Sequence, residues 1–195
     1  MRIGVPKETS RNEHRVGLTP FAVSSLVRNE HEVYIERGAG NNSHFNDEDY
    51  EAAGARIVYN PEEAYARADM VCRVGRVSPE EVQNLAPGTI VCGFQHLAVA
   101  PKEVVRQLRE REATVIGYEL IQNAQGRRAV MGALSEIAGR MTINTATSLL
   151  EHDSGGRGVL LGSVPGIPPS TVVILGAGTV GRTAASLAIA LGAHV

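Results

Sequence analysis

Val172-Val173-Ile174-Leu175-Gly176-Ala177-Gly178-Thr179-Val180-Gly181 joins an apolar strand candidate to a glycine-rich turn. Four apolar residues run into G-x-G-x-x-G, and helical spacing continues from about Thr179 to Leu191. The first glycine permits a tight turn, the second leaves room for a pyrophosphate, and the third lets helix and strand pack closely. The helix start then offers unpaired N–H groups to phosphate oxygens. Strand, glycine loop and helix in that order predict a dinucleotide turn made by Gly176, Gly178 and Gly181. A purely structural βα turn is the competing reading. The apolar run Thr171 to Leu175 has the composition of a strand buried on both faces. Ala193-His194-Val195 reads as the opening of the next strand. The acidic residue that would hold the adenosine ribose is expected about 20 residues past the glycines. The reading therefore expects the chain to continue beyond Val195, with a degenerate remnant as the alternative.

Upstream of the turn lies a Gly/Pro-rich loop, Asp153 to Ser170, and before it Ser135 to Glu151 carries helical spacing through Ile137, Met141, Ala146, Leu149 and Leu150. From Met1 onward the pattern alternates strand and helix. Strands are expected near residues 2–5, 31–36, 55–59, 69–74, 89–93 and 113–117. Helices are expected to start at Pro20 and at Pro79, and to run near 47–53, 61–66 and 101–111. Thr19-Pro20 and Ser78-Pro79 each give a capping side chain followed by proline at the first helical position. Connections of this length favour a parallel sheet over hairpins. The expected fold is α/β: a doubly wound parallel sheet domain over residues 1–134, then the start of a Rossmann dinucleotide-binding domain over 135–195.

Composition excludes several classes. A hydrophobic fraction of 43% in 195 residues supports a packed core. No run approaches the roughly 18 apolar residues of a membrane span, and the first residues lack a signal-peptide apolar region. No membrane partner and a cytoplasmic location are therefore expected. Net charge is −2 and no basic patch is concentrated, which argues against nucleic acid. The two cysteines, Cys72 and Cys92, sit in apolar stretches and read as buried, inert thiols. His31, His44, His152 and His194 show no metal-ligand spacing, so no metal site is expected, and His14 in the charged opening loop reads as a solvated side chain, with lining the cleft as the alternative.

Several further segments are specific enough to carry a resemblance. They are G-V-P-K-E-T-S-R-N-E-H-R-V-G-L-T-P (Gly4–Pro20), E-R-G-A-G (Glu36–Gly40), F-Q-H-L-A (Phe94–Ala98), Tyr118-Glu119, L-S-E-I-A-G-R (Leu134–Arg140) and G-G-R-G-V-L-L-G-S-V-P-G-I-P-P (Gly155–Pro169). Together with the glycine loop they resemble the alanine dehydrogenase and NAD(P) transhydrogenase alpha-subunit family, nearest its alanine dehydrogenase branch. The transhydrogenase branch usually does not keep the histidine motif, whereas His96 is present here.

The resemblance implies NAD as cofactor and reversible oxidative deamination of L-alanine to pyruvate and ammonia. It implies a homo-oligomer with a small amino acid or 2-oxo acid as its partner. Arg15 matches the arginine that holds the substrate carboxylate, for which a guanidinium fork is suited. His96 matches the catalytic histidine, and imidazole is suited to moving protons near neutral pH. Ser135 matches a serine near the nicotinamide, although a helix cap explains it equally well. One position departs from the family. Where the second lysine of its K-V-K strand end belongs, the segment Arg73-Val74-Gly75-Arg76 has Gly75. Alanine turnover is therefore expected to be impaired unless Arg73 or Arg76 supplies the charge. The alternatives are a dehydrogenase for a bulkier 2-amino acid, or an inactive relative that serves as a binding or assembly protein.

Overall fold

The computed structural model describes residues 1–195, which divide into two compact units, Met1–Ile121 and Gln122–Val195. The first contains β1 (Arg2–Val5), α1 (Pro20–Arg28), β2 (Glu32–Glu36), α2 (Asp47–Ala52), β3 (Arg56–Val58), α3 (Pro61–Ala66), β4 (Met70–Cys72), α4 (Pro79–Gln83), β5 (Ile90–Gly93), α5 (Lys102–Glu110) and β6 (Thr114–Gly117). Helix starts follow their capping residues. Thr19 Oγ1 accepts from the Ala22 amide, and Asn60 Oδ1 from the Glu63 amide. Asn46 with Asp49 and Ser78 with Glu81 form reciprocal capping boxes.

All six strands are parallel in the order β3-β2-β1-β4-β5-β6. Side-chain alternation sends Cys72 and Cys92 to one face, with Ile3, Val5, Val23, Val33, Ile35 and Tyr50. Val71 and Val91 go to the other, with Tyr65, Val82, Leu85, Val104 and Leu108. Covering both faces gives the unbroken apolar strands of a doubly wound sheet. Each fully buried valine there contributes about 1.5–3 kcal/mol relative to exposure. After β3 the chain returns to the far side of β1, so β1 and β4 flank the point where strand order reverses. Open α/β sheets bind ligands at the carboxyl ends of the strands at such a point.

β4 ends at Cys72, before the Val74 expected for it. Arg73 still donates its amide to the Cys92 carbonyl, but the Val74 amide turns to the Glu8 carboxylate at 2.6 Å. A contact from far along the chain stops the strand.

The second unit contains α6 (Ala129–Leu150) and α7 (Thr179–Ala190). Ile143, Leu161, Ala184 and Ala188 form its core. The helices approach closely at Gly139, where a Cβ would lie 2.6 Å from the Val180 carbonyl oxygen. Two expectations are corrected here. The long helix starts at Ala129, six residues before Ser135, because Arg128 at its N-cap makes no side-chain capping bond and leaves no signal in the sequence. Thr171 to Leu175 is not buried on both faces. It makes one parallel bridge, Thr171 to His194, with Val173 79% and Leu175 95% exposed. A strand is covered on both faces only where its sheet and layers surround it, and here a single bridge holds it. No helix is long and apolar enough to cross a membrane. Nowhere do three or more His, Cys, Asp or Glu side chains converge as a metal-binding group.

Candidate functional site

In the first unit the loop after β1 folds across the end of β4. Gly17 permits this, since a Cβ there would lie 2.3 Å from the Cys72 carbonyl oxygen. The loop carries Glu8, whose side chain is 3% exposed, to Arg73, which is 2% exposed. Arg73 donates to Glu8 at 3.0 Å, to the Tyr65 hydroxyl at 2.9 Å, and to Glu81. Burial holds the Tyr65 hydroxyl well above its usual pKa, so it accepts this bond as a neutral phenol. The guanidinium of Arg73 is therefore committed to its own carboxylates and does not replace the missing lysine. Arg76 donates to the Val99 carbonyl at 3.2 Å.

Gln95, wholly buried, ties the ends of β4 and β5 together. Its Oε1 accepts from the Val77 amide at 3.2 Å and its Nε2 donates to the Gly75 carbonyl at 3.1 Å. A Cβ at Gly75 would meet only Glu8 Oε2 at 3.1 Å and an Arg73 nitrogen at 4.0 Å. Its direction is otherwise open.

Arg15 is held by Glu13 in a two-pronged pair, Nε to Oε1 at 2.8 Å and a terminal nitrogen to Oε2 at 2.7 Å. This hydrogen bonding keeps the Glu13 carboxyl below, and the Arg15 guanidinium above, their ordinary pKa values. The Arg15 guanidinium lies 5.8 Å from the centre of the Phe94 ring, within cation–π range. His96 stacks on the same ring at 6.2 Å and 18°, while Tyr118 meets it edge-on at 5.5 Å and 90°. The two residues expected to handle substrate are thus brought together on Phe94, at the carboxyl edge of the sheet. His96 is exposed and its backbone is left-handed, with φ 44° and ψ 48°. Its amide donates to Glu119 Oε1 at 2.8 Å. Cys72 and Cys92 are register neighbours beneath the site, both buried and free, as expected of structural thiols.

In the second unit Gly176, Gly178, Gly181 and Ser135 line one cavity of about 570 Å³. Gly176 has φ +110°, a turn conformation that favours glycine. Gly181 packs so tightly that a Cβ would lie 2.1 Å from the Gly176 carbonyl oxygen, while a Cβ at Gly178 would meet nothing within 4 Å. The open side of Gly178 and the uncapped start of the 12-residue α7 fit a pyrophosphate. Ser135 lies in the second turn of α6, so it is not a helix cap.

Residue type and spacing alone do not single out Glu8, Glu13, Phe94, Tyr118 or Glu119. All five lie within the segments that carried the resemblance, and Glu13 stands two residues before Arg15. What they hold, however, is decided by the sheet.

Two family models match in series: "Alanine dehydrogenase/PNT, N-terminal domain" over residues 4–139, and "Alanine dehydrogenase/PNT, C-terminal domain" over 142–195. Among curated relatives, alanine dehydrogenase of Methanococcus maripaludis is 43% identical over 195 residues, which is 100% of this chain and 52% of that protein. Alanine dehydrogenase of Mycobacterium tuberculosis is 42% identical with the same coverage. The chain therefore spans about half the length of the curated relatives it matches. A solved L-alanine dehydrogenase superposes with a TM-score of 0.93 at 42% identity, covering 100% of this chain and 54% of that one. A transhydrogenase from Sinorhizobium meliloti superposes with a TM-score of 0.82 at 26% identity, covering 99% of this chain and 55% of that one. Sheet order, glycine turn and sequence agree, and the chain belongs to the alanine dehydrogenase/PNT family.

Proposed function

We propose that this chain carries the substrate-binding and phosphate-cradling parts of a cytoplasmic, homo-oligomeric, NAD-dependent amino-acid dehydrogenase acting on L-alanine. The observation that carries this reading is the convergence of Arg15 and His96 on the Phe94 ring. Arg15 binds the substrate carboxylate, exchanging part of its Glu13 pairing for the same two-pronged geometry. His96 holds the proton that moves between the reacting nitrogen or water and solvent. The exposed imidazole can pass that proton outward, whereas a buried one would need a relay. The chemistry that bound NAD would supply is that of a hydride acceptor for the substrate Cα. Gly176, Gly178 and Gly181 bring backbone amides to its pyrophosphate, and Ser135 lies on the same cavity.

Gly75 supports a second reading, that the substrate is a bulkier 2-amino acid. A Cβ at position 75 would meet only Glu8 and Arg73 within 4 Å. A pocket that gains about one methylene of room discriminates by about 1–3 kcal/mol, enough to exchange the preferred substrate.

The test is NADH formation by the full-length polypeptide with L-alanine and with longer 2-amino acids, before and after Gly75→Lys. Turnover of alanine that rises in the lysine variant supports the first reading. Higher kcat/KM for a longer side chain, lost in the lysine variant, supports the second. No turnover of any amino acid by either protein overturns both.

A further inference from the structure

We propose that Glu119 is a positioning residue for His96, acting through the His96 backbone and not through the ring. The inference rests on the reading of His96 as the proton-handling group. His96 follows the end of β5 in a left-handed conformation, φ 44° and ψ 48°, which is disfavoured for a residue bearing a Cβ. Such a conformation persists only where its surroundings over-determine it. Two bonds do so here. The His96 carbonyl accepts from the Val99 amide at 3.0 Å, closing the short turn that follows. The His96 amide has no backbone partner in the sheet and donates to Glu119 Oε1 at 2.8 Å, a charge-assisted bond between the ends of two neighbouring strands.

Glu119 is placed for this and little else. It stands in a one-turn 3-10 helix directly after β6, and β6 pairs with β5 through Gly93 and Gly117. Gly117 makes the seat: a Cβ there would lie 2.7 Å from Glu119 Oε1 and 3.2 Å from Oε2. The second carboxylate oxygen is shielded from solvent and has no partner. The amide bond of His96 is therefore the hydrogen bond that gives this carboxylate its place. With the backbone so fixed, the imidazole lies stacked on Phe94, the ring that also carries Arg15. Release of the latch frees the backbone to leave the left-handed region, and the imidazole loses its stacked place on Phe94. Misplacement of a reacting group by about 1 Å costs on the order of 100-fold in rate.

The experiment compares wild type, Glu119→Ala and Glu119→Gln in the full-length polypeptide. Glutamine keeps a carbonyl oxygen for the His96 amide and removes the charge. Glu119→Ala is expected to lower kcat for amino-acid oxidation by on the order of 100-fold, with KM changed less than about twofold because Arg15 is untouched. Glu119→Gln is expected to restore most of the rate. Independently of turnover, hydrogen exchange at the His96 amide, read by NMR, is expected to be protected in wild type and Glu119→Gln and unprotected in Glu119→Ala. Equal rates in wild type and Glu119→Ala overturn the proposal. So does equal loss in both variants, which would assign the effect to charge. If wild type oxidises no amino acid, the proposed function fails, and an amide still protected in Glu119→Ala overturns the latch by itself.

Discussion

Replacing Arg73 with methionine would remove a guanidinium that sits between two carboxylates and leave its hydrocarbon volume largely filled. Arg73 is 2% exposed, Glu8 3% and Glu81 11%, so neither acid can turn to bulk water without opening the fold. Breaking a buried pair by deleting one partner costs about 3–5 kcal/mol, because the survivor is left uncompensated. With an m-value of about 1.5 kcal/mol/M in urea, a loss of about 4 kcal/mol lowers the midpoint by roughly 2.7 M. The chain has no tryptophan and its five tyrosines all lie in Met1–Ile121, so tyrosine fluorescence reports that unit alone. The triple variant Arg73→Met/Glu8→Gln/Glu81→Gln removes the charges together and should recover at least half of the loss. It also keeps the prediction open if the single variant fails to fold. A loss under about 1 kcal/mol, the value of an exposed pair, would refute the claim that this cluster is a buried ionic centre.

Two further outcomes follow from the geometry. Gly178→Val should abolish NAD binding by calorimetry while leaving the thermal midpoint nearly unchanged, since a Cβ at Gly178 meets nothing within 4 Å and the backbone there is not left-handed; retained affinity would mean that the turn does not cradle a pyrophosphate. Glu13 has a folded pKa held below its ordinary value, first by its hydrogen bond with Arg15, so the stabilisation it contributes is present above the ordinary carboxylate range and is lost as pH falls through the folded pKa. The difference in thermal midpoint between wild type and Glu13→Gln should therefore be largest near neutrality and close on acidification; a constant difference would place the effect elsewhere.

What could be read from the chain itself was whatever local chemistry dictates. Pro20, Pro61 and Pro79 each begin a helix behind a capping side chain, and those starts matched the observed ones. Ala129 begins a helix with no such signal, and its start was misplaced by six residues. β4 was expected to run on through Val74 because Met70 to Val74 is largely apolar; nothing local reveals that Glu8, 66 residues away, takes the Val74 amide. The same limit applies to the site. Arg15 and His96 were visible as residue types in a family pattern, but their meeting on Phe94 depends on β4 lying beside β1 and β5 beside β4 in the sheet. Glu119 was visible only as half of a matched pair of residues, because its partner is a backbone amide and leaves no trace in side-chain composition.

The same long-range contacts decide what the glycine at position 75 can mean. Had Glu8 depended on a lysine at that position, its loss would have left a buried carboxylate unpaired, and the first unit would bear a folding cost. Instead Glu8 accepts from the Val74 amide at 2.6 Å, from Arg73 at 3.0 Å and from the Gly75 amide at 3.3 Å, and it is satisfied without any lysine. Glycine at 75 is therefore neutral for the fold, and its consequence falls on whatever occupies the open space above Glu8. In the reverse substitution the Cβ would stand 3.1 Å from Glu8 Oε2, so that carboxylate must give by a few tenths of an ångström, and the new ammonium would find a carboxylate beside it. Gly75→Lys should thus leave the urea midpoint of the tyrosine signal in place while changing turnover. A variant that altered stability and left turnover alone would show that position 75 serves the fold and not the substrate.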